Sequence, residues 1–109
     1  MAYDEGVAQR LHAALGPLPG LAEKKMFGGI SYLLRGNMAC GVIGEELIVR
    51  VGPAQHGAAL AQPDARVFDF SGKPMAGWVT VAPDGYASEE ALAHWVKLAI
   101  DFAGSLPAK

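Results

Sequence analysis

The sequence has 109 residues, of which 51% are hydrophobic and 18% charged, and a formal net charge of −2. A chain of this size closes one core without metals or disulfides, and its apolar content excludes disorder. Nine basic residues are scattered along it with Lys24-Lys25 as the adjacent pair, which argues against autonomous nucleic-acid binding, where clustered Lys and Arg must neutralise phosphates.

In chain order, Asp4 is an N-cap for a first helix and Glu5 suits its positive end. Val7, Leu11 and Ala14 or Leu15 recur at helical spacing, and Gly16-Pro17-Leu18-Pro19-Gly20 stops the helix. Glu23 to Phe27 then leads into Gly28-Gly29, and Ile30 to Leu34 alternates as a strand. Arg35-Gly36-Asn37 makes a hairpin turn and Met38 to Ile43 returns as a second strand. A further tight turn at Gly44-Glu45 or Glu45-Glu46 leads into Leu47 to Val51. Strands joined by turns this short pair antiparallel.

Pro53 opens a short alanine-rich helix over Ala54 to Ala61, closed by Gln62-Pro63-Asp64. Val67 to Phe70 reads as a strand, Ser71-Gly72-Lys73-Pro74 as a loop and Trp78 to Val81 as a strand of strong β-formers. After a turn at Ala82-Pro83-Asp84-Gly85, Ser88 caps a last helix with Glu89 and Glu90 in its first turn. Leu92, Trp95, Val96, Ala99 and Phe102 or Ala103 form its apolar stripe, and Gly104 ends it. The expected order is α-β-β-β-α-β-β-α. This is an α+β fold, one domain over 1–109 with an ordered part of about 4–104, in which helices cover one face of an antiparallel sheet. The other face is then available for a homodimer.

No segment reaches the roughly 20 apolar residues that a membrane span needs, and the acidic start Met1 to Gly6 is unlike a signal peptide. The lone Cys40, inside an apolar run, predicts a buried inert thiol and a cytoplasmic setting.

Catalytic patterns are sparse. Gly28-Gly29 precedes a strand where a phosphate-cradling loop needs a helix, so a tight turn or bulge is the better reading. His12, His56 and His94 fall on three separate helices without metal-ligand spacing. Neither Cys40 nor Ser31, Ser71, Ser88 or Ser105 sits in a nucleophile elbow. The acidic pairs Glu45-Glu46 and Glu89-Glu90 read as solvated turns. No metal or cofactor is expected. Phe27, Phe68, Phe70, Trp78 and Trp95 read as core. Arg50, inside an apolar strand, is either a solvent-facing side chain whose stem covers apolar surface or an interface or anion-contacting arginine assisted by Lys73.

The stretch Lys24-Lys25-Met26-Phe27-Gly28-Gly29-Ile30, followed by a tyrosine-bearing strand and Arg35-Gly36-Asn37-Met38, resembles the signature of the TfoX N-terminal domain family. Leu47-Ile48-Val49-Arg50-Val51, Gly72-Lys73-Pro74-Met75, Gly77-Trp78 and the helix aromatic Trp95 resemble its later segments. The resemblance implies a fold like that of the type III secretion chaperones. It marks Met26, Phe27, Gly28, Gly29, Arg50, Lys73 and Trp78 as family-signature or binding positions. Two-domain members of the family act in competence-gene activation together with the catabolite activator protein, and their helical C-terminal domain would begin beyond the end of this sequence.

Resemblance and residues together point to a non-enzymatic regulatory or protein-interaction domain, a homodimer with a protein partner. One alternative is a small-ligand or anion-binding protein, or an enzyme, using Arg50 and Lys73. Another is a transcriptional co-regulator that borrows DNA contacts from a partner.

Overall fold

The computed structural model describes residues 3–26, 28–70 and 73–108. Helix α1 (Glu5–Leu15) begins where the Asp4 carboxylate accepts from the Gly6 and Val7 amides, at 2.8 and 3.2 Å. Strands β1 (Leu21–Met26), β2 (Gly29–Leu34), β3 (Asn37–Ile43) and β4 (Glu46–Arg50) follow. Next come helix α2 (Pro53–Leu60), strands β5 (Ala65–Phe70) and β6 (Lys73–Val81), a 3-10 turn at Pro83–Gly85 and helix α3 (Glu89–Gly104). In α3, Ser88 Oγ accepts from the Ala91 amide at 3.0 Å, the cap expected from sequence.

The order is therefore α-β-β-β-β-α-β-β-α, with one strand more than the sequence suggests. The segment read as a lead-in is β1, paired with β2 along its whole length from Leu21↔Leu34 to Met26↔Gly29. Its charged Glu23-Lys24-Lys25 hides the strand from a hydrophobicity reading, yet charge is what an edge strand carries to discourage further pairing. The other difference lies at Lys73. The expected loop through Pro74 is the start of β6, because a tight hairpin pairs Phe70 with Lys73 and Asp69 with Pro74 and overrides the local preference of proline.

All six strands join one antiparallel sheet in the order β1-β2-β3-β4-β6-β5. Helix α2 carries the chain past β6, so β5 forms the outer edge and β6 returns between it and β4. Ile30, Tyr32, Leu34, Val42, Leu47, Val49, Val79 and Val81 project from one face into a core with Leu11 of α1, Ala59 of α2 and Leu92, Trp95 and Ala99 of α3. All three helices thus share that face. Polar atoms in this core have partners: Tyr32 Oη donates to the Ala8 carbonyl at 3.2 Å and Trp95 Nε1 to the Gly85 carbonyl at 3.1 Å. Arg10 closes the helical layer, donating to the carbonyls of Tyr86 and Ala87 at 3.1 Å each and pairing with Glu89.

Burial within this layer gives the fold an alkaline liability. It pushes the Cys40 thiol up from an ordinary 9 to about 12. The Tyr32 phenol is pushed up from 10 to about 12, first by burial and then by the charge of Glu23. The folded state therefore holds both protons where the unfolded chain releases them, so stability is intact below pH 9 and falls as pH rises from 9 to 12. Urea melts across that range should show the fall. Cys40→Ala should make it shallower between pH 9 and 10, where the unfolded thiol alone ionises. An unchanged slope in that variant would place the titration elsewhere.

Candidate functional site

The helix-free face of the sheet carries Ile43, Ile48, Thr80, Arg50 and Trp78, which pair within β3, β4 and β6 but point away from the core, with Phe68 of β5 beside Trp78. Ile48 and Thr80 are buried there by their own neighbours, at 2% and 4% exposure, without any helix above them. Ile43, Glu46, Arg66 and Phe68 surround them, forming a depression of about 230 Å³ whose rim includes the Arg66–Glu46 ion pair. Leu33, Met38 and Trp78 are half-buried, so apolar side chains on this face still meet solvent.

Arg50 and Trp78 stand directly opposite each other on β4 and β6. The guanidinium carbon of Arg50 lies 5.2 Å from the centroid of the Trp78 ring and 5.2 Å from that of Phe102 on α3, within cation–π range of both. Phe68 extends the aromatic row, its ring 6.1 Å from Trp78. Among the described residues the hydrogen-bond acceptor of Arg50 is the Met38 carbonyl, at a long 3.4 Å. The other arginines are better satisfied. Arg10 and Arg66 hold carboxylates, and Arg35 donates to the Gly104 carbonyl at the end of α3 at 3.0 Å. Arg50 has no carboxylate partner among the described residues. Both readings of this arginine meet here: its stem covers apolar surface, and among the described residues its donors meet only the distant Met38 carbonyl.

Phe102 also walls a cleft of about 260 Å³ between the start of α2 and the end of α3, with Val51, Pro53, Ala54, Leu98 and Asp101. Asp101 is engaged by Lys97 at 2.9 Å, and Gln55 and Ser105 complete a lining that is otherwise apolar. Neither Phe102 nor Met38 was singled out from sequence as a neighbour of Arg50. The β4–β6 pairing joins segments separated by all of α2 and β5, and no local pattern announces it.

The remaining signature residues lie elsewhere. Gly28, at φ 75°, turns the chain from β1 into β2. A Cβ on Gly29 would sit 2.4 Å from the Val42 carbonyl oxygen, so close strand approach, not a phosphate, accounts for the second glycine. Gly29 lies at the β3–β4 turn end of the sheet and Arg50 at the other, because β2 and β4 run the same way with β3 between them. Lys73 opens β6 at the tip of the β5–β6 hairpin, on the Arg50 side of the sheet. Phe27 and the side chains of Met26 and Lys73 lie outside the described residues.

Trp78 departs from the core reading, being half-buried on the open face, whereas Trp95 is 2% exposed in the core. His12 packs 5.8 Å from the Tyr32 ring, and His94 lies 3.1 Å from the Gln62 amide nitrogen. No group of three or more His, Cys, Asp or Glu gathers among the described residues. No helix among them is long and apolar enough to cross a membrane.

With this geometry in place, comparison with known proteins adds a family. Residues 13–103 match the model of the TfoX N-terminal domain family. No curated protein matches the chain.

Proposed function

The chain belongs to the TfoX N-terminal domain family, and we propose that it is a non-enzymatic regulatory domain of that family, working in the cytoplasm as a homodimer that contacts a protein partner. The observation that carries this reading is the helix-free sheet face, where Leu33, Met38, Ile43 and Phe68 remain half-buried around Ile48, beside the Arg50–Trp78 end of the sheet. An antiparallel sheet with one apolar face uncovered is completed by a second sheet laid across it. A second copy of the chain supplies such a sheet, and the Arg66–Glu46 pair at the rim brings no net charge to the contact. Regulation of competence, the role of two-domain members, would pass through the partner that this dimer engages.

Sedimentation velocity tests the dimer directly. The wild-type domain should sediment at twice the protomer mass. Ile43→Glu, which places a carboxylate against apolar surface at a strand end, should weaken association about a hundred-fold or more with the fold retained. A wild-type domain that stays monomeric at every accessible concentration rules out the homodimer.

A further inference from the structure

We infer that Arg50, with the aromatic rings of Trp78 and Phe102, is the receptor for an acidic side chain on the protein partner, and that the α2–α3 cleft takes the apolar residue beside it. The inference rests on the protein-interaction reading but not on the homodimer.

A half-buried guanidinium that no carboxylate among the described residues neutralises is an incomplete arrangement. The two rings, each 5.2 Å away, hold the cation in place without consuming its N–H donors, which Met38 barely engages at 3.4 Å. A planar, positioned fork of this kind suits a carboxylate, which it can meet with two parallel hydrogen bonds. Arg and Trp are also the residue types on which binding energy concentrates at protein interfaces.

The cleft supplies the second half of the recognition. Phe102 faces Arg50 and also lines the cleft of about 260 Å³, so a ligand can touch both sites by crossing one ring. Val51, Pro53, Ala54 and Leu98 give that cleft an apolar wall beside the polar Gln55 and Ser105, and its volume suits one or two aliphatic side chains. Helix α2 begins beside it, with Gly52 as N-cap and no side chain capping it. The chemistry that fits is a Glu or Asp followed by an aliphatic residue on an exposed segment.

The test titrates the intact domain with the acetylated, amidated tripeptide Leu-Glu-Leu, reading the Trp78 indole and Arg50 Nε–H resonances. Its Gln counterpart and an acetylated Leu-Leu with a free carboxylate are the comparison arms. The Glu peptide should bind about ten-fold more tightly than the Gln peptide, the difference between a charge-assisted and a neutral pair. Arg50→Gln should erase that preference and Arg50→Lys should keep part of it, each with an otherwise unchanged amide spectrum. Equal binding of the Glu and Gln peptides, no response to either, or a preference that survives Arg50→Gln overturns the inference. Tighter binding of the free-carboxylate peptide overturns its assignment to a side chain. Sedimentation of the same samples reports the homodimer independently, so the two readings fail separately.

Discussion

Trp95→Ala will lower the unfolding free energy of the domain by about 3–5 kcal/mol, the usual range for truncating a large core aromatic. Trp95 is 2% exposed and lies in the layer between α3 and the sheet, in one core with Leu11, Leu47 and Val49. Its indole N–H also satisfies the Gly85 carbonyl at the turn that leads into α3, so the variant leaves that carbonyl without its donor. Domains of this kind have about 5–15 kcal/mol in total, and the loss takes much of it. Trp78→Ala in the same host should cost only about 1–2 kcal/mol, because its ring is partly exposed on the helix-free face and outside the core cluster. Urea melts of the two variants decide the point. Equal losses would put Trp78 in the core and remove the open face as a binding surface.

That contrast shows what a linear reading can and cannot reach. Both tryptophans sit in convincing apolar patterns, and nothing in the pattern says which face of the sheet a strand residue occupies once six strands have been ordered. The helices were legible because their signals are local: Asp4 and Ser88 cap amides two or three residues further on, and Leu92, Trp95, Ala99 and Ala103 mark one face at helical spacing. The hairpin at Arg35-Gly36 was legible for the same reason, with Arg35 at φ 50° and Gly36 at φ 86°. Strand β1 was missed because its membership depends on a neighbour, not on its own hydrophobicity. The site was half legible. Arg50 stood out as a charge inside an apolar strand, but its aromatic neighbours come from β6 and from the far end of α3. Lys73, named with it from sequence, shares the same end of the sheet but begins at the hairpin tip, several positions along β6 from Trp78.

Gly52→Ala should destabilise the domain by about 2–4 kcal/mol, more than its small size suggests. Gly52 lies two residues beyond the end of β4 and has φ 86° and ψ 160°, a region that only glycine occupies without strain. The conformation is enforced by pairing, since the amides of Val51 and Gly52 both donate to the Gly77 carbonyl, at 2.8 and 3.0 Å. A Cβ there would also lie 2.4 Å from Phe102 Cδ1 and 2.6 Å from Cε1, so the ring must swing away. The ring that moves is the one that faces Arg50 and walls the cleft, so the variant should lose preference for the Glu peptide as well as stability. Gly57→Ala, one turn further along α2, is the matching control. Its Cβ would meet nothing within 4 Å, and replacing a helix-interior glycine should add about 0.5–1 kcal/mol. The same substitution should therefore shift the urea midpoint in opposite directions at two positions of one short segment. A Gly52→Ala midpoint at or above wild type would mean that the chain leaves β4 by another backbone path, and the Arg50–Phe102 contact would fall with it.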